Sequence, residues 1–395
     1  MSTTAGRRSP HGWQIGSLAG TPVYLGRSWP VIAVVIVVAF GPSLARADKG
    51  AEYGYLAAAG YALLLLVSVL VHEAAHALAA RWRGHPVERI VADVWGGHTV
   101  YDASGSAPGA TAIIAVVGPL ANLALAGVGL LLQQVTTNDT ALLLLTITTY
   151  ANLLVGIFNL LPGLPLDGGQ IVSALVWKLT GRRGTGFVVA GWLGRVVAVA
   201  TVVWFVVLPL TRGAAADVFS FVFPVVIAGF LWQGATGAIR AGRIHDATAE
   251  PASAVLEPLV VVAASTTLTQ VDDALASGAL RPIPAATDGN GPVWLATSDT
   301  RGWPDGVVEP AAAQAVPDAA RGRTPLSAVT VAQPGGWVVA VSPTDVLTDL
   351  IRVMSERSLS YAVVVDSASR SVLGLATAER INAVVGARLA RRGRG

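Results

Sequence analysis

The apolar positions of this chain fall into long unbroken runs up to about residue 240, and into short, partly alternating runs after residue 250. A helix that crosses a bilayer needs about 20 apolar residues. Six stretches approach that length: 28–45, 56–80, 109–132, 141–161, 187–210 and 218–239. The first is short and ends at Gly41-Pro42. The fourth runs into NLLPGLPLDGG, where Pro162 and Pro165 deny a helix its backbone donors. A break at membrane depth is tolerated only where the freed backbone lines a protein cavity. Between the second and third runs lies VERIVADVWGGHTVYD, 87–102, β-branched and alternating, which predicts a short β-hairpin broken at Gly96-Gly97.

From residue 250 the pattern is that of a water-soluble α/β unit. Its second half, 321–390, predicts a strand at 329–331, a helix over SPTDVLTDLIRVMSE capped within Ser342 to Asp345, strands at YAVVVD and SVLGLAT, and a helix over AERINAVVGARLA. The first half, 250–320, repeats this loosely through LEPLVVVAASTTLTQVDDALASG, RPIPAATD and GPVWLATSD. Two halves of similar order predict a tandem repeat of a small domain. The expected fold class is a polytopic α-helical membrane domain, 28–245, with six transmembrane helices and a small membrane-associated hairpin, followed by the α/β tandem domain. Residues 1–27 are expected as a cytoplasmic segment.

Composition agrees with this division. Of the 395 residues, 53% are hydrophobic and 13% charged, against about 25% charged in soluble domains. The Lys and Arg excess argues against nucleic acid as partner, because these residues stand at the ends of apolar runs, where membrane topology uses them. With the N-terminus inside, the inner segments hold eleven of them, including Arg81, Arg83, Arg89, Lys178, Arg182 and Arg183. The outer segments hold Arg46, Lys49 and Arg212. Both termini are therefore expected in the cytoplasm and the protein in the cell membrane. No apolar core follows Arg7 and Arg8 directly, so no cleaved signal peptide is expected. The absence of Cys excludes disulfides and thiolate metal sites.

The second run carries the chemistry, in LVSVLVHEAAHALAARW. His72 and His76 are four apart, so on a helix their side chains differ by about 40° in direction and stack on one face. That spacing lets two imidazoles grip one Zn²⁺, and Glu73, about 100° round, can act as general base. Ionisable groups at the centre of a span cost about 2.5–3.5 kcal/mol each on the insertion scale, so three in five residues are not filler. A catalytic zinc takes three protein ligands and keeps an open position. Asp167, in PLDGG at the broken end of the fourth run, is the acidic candidate, with an N-cap for the following helix as its other reading. His98, in the hairpin, is a further candidate. His11 and His245 fall outside the spans, and His85 is expected in solvent.

HEAAH in one span and N-x-x-P-x-x-P-L-D-G in a later one (Asn159, Pro162, Pro165, Leu166, Asp167, Gly168) resemble the site-2 protease family of intramembrane zinc metalloproteases, M50 type. GPLAN, 118–122, resembles another element of that family, and the tandem unit resembles the C-terminal CBS pair of its bacterial branch. The resemblance implies that His72, His76 and Asp167 ligate one Zn²⁺ and that Glu73 activates water. It also implies that Asn159 holds the scissile carbonyl, and that the hairpin with Gly96 and Gly97 pairs with an unwound stretch of a single-pass membrane substrate. His98 exceeds the shared pattern; a resting-state contact to the metal and a plain surface imidazole are both open to it. A CBS pair implies a homodimer and an adenine nucleotide, but Arg380 stands three residues after Thr377, where the ribose-binding pattern has Asp. In the first repeat, Thr300 stands three residues after Thr297. The competing readings are a CBS-regulated metal or ion transporter and an inactive scaffold. Glu73 between the two ligands, and the absence of repeated halves among the spans, favour the protease.

Overall fold

The computed structural model describes residues 12–45, 50–93, 96–103, 105–213, 218–283, 292–342 and 345–392. Arg7, Arg8, His11, Arg46 and Lys49 lie outside the described residues, as does most of RPIPAATD. The chain divides into two compact units, Met1–Gly242 and Arg243–Gly395.

The first unit opens with strands β1 (Gly12–Leu18) and β2 (Thr21–Gly26). Helix α1 (Trp29–Ala45) and helix α2 (Gly50–Trp82) follow. Strands β3 (Val87–Asp93) and β4 (Gly96–Tyr101) form the expected hairpin. Helices α3 (Pro108–Gln133), α4 (Asp139–Asn159), α5 (Asp167–Thr180) and α6 (Arg183–Val202) come next. After a π-turn at Val203–Val207, α6 continues into α7 (Leu208–Thr211), and α8 spans Val218–Thr248.

Five helical stretches are long and apolar enough to cross a membrane: Gly50–Trp82, Pro108–Gln133, Asp139–Asn159, Arg183–Thr211 and Phe221–Thr248. This is a multi-pass membrane unit. The first of the six expected spans instead forms α1, 17 residues long with Pro42 inside it. Among the described residues the six-span count is thus five helices of crossing length and one shorter.

Residues 12–26 are not a plain segment. β1 and β2 pair antiparallel, β2 joins β3 in parallel, and the sheet runs β1-β2-β3-β4. Ala19 and Gly20 both take positive φ, 49° and 82°, which suits the two-residue turn that matches strand twist. The Arg81 guanidinium, at the end of α2, donates to the Ala19 carbonyl and to Thr21 Oγ1, fixing this turn to the helix.

The helices approach closely because small residues face one another. A Cβ on Gly194 of α6 would run into the Leu164 carbonyl, and one on Gly234 of α8 into the Pro165 ring. The Leu164 N–H donates to the Ala190 carbonyl at 3.0 Å. The proline-broken segment between α4 and α5 is thereby pinned against α6 and α8, and its end, Asp167, is held in place. Polar pairs tie helices together. Asn152 Nδ2 donates to Ser68 Oγ at 2.9 Å. Arg195 of α6 lies over the rings of Trp192 and Trp232, 4.7 and 4.9 Å from their centroids, and donates to Thr236 of α8.

The second unit contains β5 (Leu256–Glu257), β6 (Leu259–Ala263), α9 (Leu268–Ala276), β7 (Trp294–Ser298), β8 (Pro304–Val308), α10 (Pro310–Gln314) and α11 (Asp318–Arg321). It goes on with β9 (Thr330–Ala332), β10 (Val338–Val341), α12 (Leu347–Glu356), β11 (Tyr361–Asp366), β12 (Val372–Thr377) and α13 (Ala378–Arg392). Two four-stranded sheets result, β6-β7-β8-β9 and β10-β11-β12-β5. Each borrows one strand across the midpoint of the unit: β5 completes the later sheet and β9 the earlier one.

The topology changes two local readings. Asp345 does not cap α12, which starts at Leu347 behind Val346; its carboxylate accepts from the Ser342 N–H instead, at 2.8 Å. Thr297 and Thr377 are not equivalent. Thr377 ends β12, the second strand of its hairpin, while Thr297 lies on β7, the first strand of the other. Equivalence by topology falls at the end of β8, on Val308 and Glu309.

Candidate metal centre and active site

α2 brings His72 and His76 to one face, with Nε2 atoms 3.0 Å apart. The broken end of α4 delivers Asp167 to the same point. Its Oδ2 lies 3.2 Å from His72 Nε2 and 3.4 Å from His76 Nε2. Asp167 is the first residue of α5, behind Leu166 at the N-cap, so its side chain does not cap that helix.

The other ring nitrogens are held by α3. His76 Nδ1 lies 2.6 Å from the Ile114 carbonyl oxygen, which can only accept, so Nδ1 carries the proton and Nε2 a lone pair. His72 Nδ1 lies 2.8 Å from Asn122 Oδ1, the Asn of GPLAN, to the same effect. In these tautomers three lone pairs converge with no proton between them, and Asp167 Oδ2 is buried without a hydrogen-bond donor. Such a cluster calls for a cation. A tetrahedral zinc bound at about 2.0–2.1 Å keeps its ligands about 3.3 Å apart, and two nitrogens with one oxygen is an ordinary donor set for it. Gly118 leaves the room: a Cβ there would collide with both Nε2 atoms. The residues present fit zinc.

Glu73 is buried beside them, with a carboxylate oxygen within 4.8 Å of a ring nitrogen of each histidine. β4 meets it from the other side. Thr99 Oγ1 donates to Glu73 Oε2 at 2.8 Å, and Gly97 packs so tightly that a Cβ would strike the Glu73 side chain. A cavity of about 400 Å³ opens over the cluster. Asn159, the last residue of α4, lines it, as do Gly97, Thr99 and Tyr101. Burial pushes the Tyr101 phenol up, so it stays neutral.

Gly96 opens β4 opposite Asp93. His98 borders the cavity but stays apart from the cluster. It is half exposed, with Nδ1 3.9 Å from Asp93 Oδ2. His85, expected in solvent, is buried, and its Nε2 lies 2.9 Å from Ser106 Oγ. The Arg-rich stretch just past the second span suggests solvent for it; its partner lies 21 residues away. Thr99 was missed for a similar reason, since nothing in WGGHTVY marks one hydroxyl over another. Alternation alone could have singled it out, because it shares a strand face with Gly97.

Residues 131–203 match the model of peptidase family M50. A relative from Mycobacterium tuberculosis, provisionally named zinc metalloprotease Rip3, is 35% identical over 260 residues, 61% of this chain and 64% of that one. The chain spans just under two thirds of the length of the first curated relatives it matches. The solved site-2 protease from Methanocaldococcus jannaschii is 23% identical, covering 58% of this chain and 95% of that one, with a TM-score of 0.42. The CBS domain of a bacterial CNNM/CorC family Mg²⁺ transporter covers 42% of this chain and 95% of its own, at 15% identity and a TM-score of 0.27. The matched segment carries α4, α5 and α6, and so includes Asn159 and Asp167; over it the chain is similar to peptidase family M50, and over 260 residues to curated zinc metalloproteases.

Proposed function

We propose that the protein is an intramembrane zinc metalloprotease that hydrolyses a peptide bond in or near the transmembrane segment of a single-pass membrane substrate. The observation that carries this is the convergence of His72, His76 and Asp167 from two distant helices, with Glu73 beside them in one cavity. His72, His76 and Asp167 would hold the zinc. Zinc bound there supplies Lewis-acid polarisation of water and of the scissile carbonyl. Glu73 takes a proton from the attacking water and returns it to the leaving amine nitrogen. Asn159, at the cavity wall, donates its amide to the carbonyl oxygen as negative charge develops there. A helical substrate hides its own carbonyls in backbone hydrogen bonds. The outer edge of β4, starting at Gly96 and Gly97, offers replacements to an unwound strand.

The excess of Arg and Lys on one set of segments favours cytoplasmic termini and a site opening toward the cytoplasm. In this reading α1 serves as a sixth, short crossing, and 28–245 is the protease domain. Residues 250–320 and 321–390 are read as two CBS repeats that exchange edge strands and support a homodimer. Nucleotide binding by the pair has little support. Thr377 Oγ1 donates to the buried carboxylate of Glu257 and accepts from the Arg380 N–H, so it is committed within the fold.

The test is zinc per chain together with cleavage of a membrane-spanning model peptide, in wild type and Glu73→Gln. Zinc retained in both and cleavage lost only in the variant is the expected result. A wild type that folds without zinc, or a Glu73→Gln protein that cleaves normally, overturns the reading.

A further inference from the structure

The hairpin does more than border the cavity. On β4, Gly97 and Thr99 are two apart and so share the face turned toward α2. Both touch the same side chain. The Thr99 hydroxyl is 2.8 Å from Glu73 Oε2 and 3.1 Å from the Glu73 carbonyl oxygen. The hydroxyl has one proton to give, so it sits in a fork between backbone and carboxylate of one residue, and that fork fixes the turn of the Glu73 side chain. Gly97 closes the other side of the same stem. Thr99 is paired with Ile90 and Gly97 with Ala92, both buried residues of β3. The face that meets Glu73 therefore cannot drift without disturbing the sheet.

We propose that Thr99 is a positioning residue for Glu73, and that β4 couples substrate docking to proton transfer. The strand whose outer edge would pair with substrate also aims the base. With Oε2 held by Thr99, Oε1 is the oxygen left to take the proton. Tightening of β4 against a substrate strand steadies Thr99, and through it Glu73. This rests on the protease reading above.

The experiment uses the full chain in detergent, with zinc loaded and a membrane-spanning model peptide as substrate. Thr99→Val removes the hydroxyl at nearly constant shape, Thr99→Ala removes it with less bulk, and Thr99→Ser keeps it. Zinc per chain, and the visible spectrum after cobalt substitution, are measured first and are expected to match wild type in all three. Outer-shell partners typically change activity by about 10–100-fold. Thr99→Val and Thr99→Ala are therefore expected to lower kcat by about that factor with KM within about twofold, the mark of an interaction needed at the transition state. Thr99→Ser is expected to recover kcat to within about threefold of wild type.

Wild-type kcat in either folded variant lacking the hydroxyl overturns the proposal. So does a raised KM with kcat unchanged, which would make Thr99 a substrate contact only. A Thr99→Ser protein as slow as Thr99→Val would reduce the role to packing and also overturn it. The protease reading fails separately: in that case wild type cleaves nothing, or Glu73→Gln cleaves as well as wild type.

Discussion

The two units of this chain bury different things. Among the largest fully buried side chains of the described residues, the first unit supplies only Ile90 and Leu231. The second supplies Leu259, Leu268, Leu326, Leu347, Leu350 and Leu375, along with Val255, Val271, Val363 and Val364. The interior of the first unit is Ala58, Ala80, Ala190 and Ala235, with glycines set against backbone atoms. Its large apolar side chains, such as Val34, Leu63, Leu154 and Trp204, point outward. The solvent explains the difference. In water, removing apolar surface drives folding, so large side chains go inside. Lipid tails solvate Leu as well as a protein interior does, so close backbone approach and interhelical hydrogen bonds decide packing instead. The same economy of small residues makes the candidate site possible. A centre for a metal fits between α2, α3 and α5 because Gly118 carries no Cβ there.

The largest effect that sharpens this contrast is expected at that glycine. Gly118→Val places branched carbon atoms where the two histidine Nε2 atoms meet. Neither histidine can give way, since the Nδ1 atoms are tied to Asn122 and to the Ile114 carbonyl. Zinc per chain, measured on the purified variant, should fall from about one to near zero. Full zinc retention would mean that small residues on α3 are not what keeps the centre open.

Next in size is a large-to-small change in the other interior. Leu350 of α12 is fully buried in the cluster that includes Leu347, Val363 and Leu375. Leu350→Ala is expected to cost about 2–5 kcal/mol, the transfer term plus the cavity left behind. Hydrogen exchange of the full chain can localise the loss, as faster exchange of the β11 amides, Tyr361–Asp366. Unchanged protection there would remove the distinction drawn between the two interiors.

How much of this the sequence disclosed follows from the range of the interactions involved. The spans are legible because twenty apolar residues in a row have few other uses. His72 and His76 are legible because helix geometry alone stacks them. Asp167 was found by need, since two histidines leave a catalytic centre incomplete. What was hidden depends on partners far along the chain. The β1–β2 hairpin reads as a segment before a span until β3, over 60 residues later, gives β2 a neighbour. His85 looks solvated among Arg83 and Gly84 until Ser106 meets it. Thr297 and Thr377 share the local string LAT, and only the sheets show that one begins a hairpin and the other ends it. Arg195, a charged group within a span, was overlooked; its two tryptophans, on different helices, are what make it tolerable there.

The smallest expected effect completes the contrast. Leu63 lies on α2, in a helix of crossing length, and is 61% exposed. In water an exposed leucine that size would add apolar surface to be hidden; in a bilayer its contacts are with lipid whether or not the helices are packed. Leu63→Ala therefore removes about as much from the separated helices as from the packed ones, and alanine is the better helix former by a small margin. The expected change is within about 0.5 kcal/mol, as for surface positions in general. The check is amide exchange along α2 in bicelles, set beside the Leu350→Ala protein under the same conditions. The same side-chain truncation should differ several-fold in cost between the two units. Equal costs would mean that Leu63 packs against protein and that the first unit buries large apolar side chains after all.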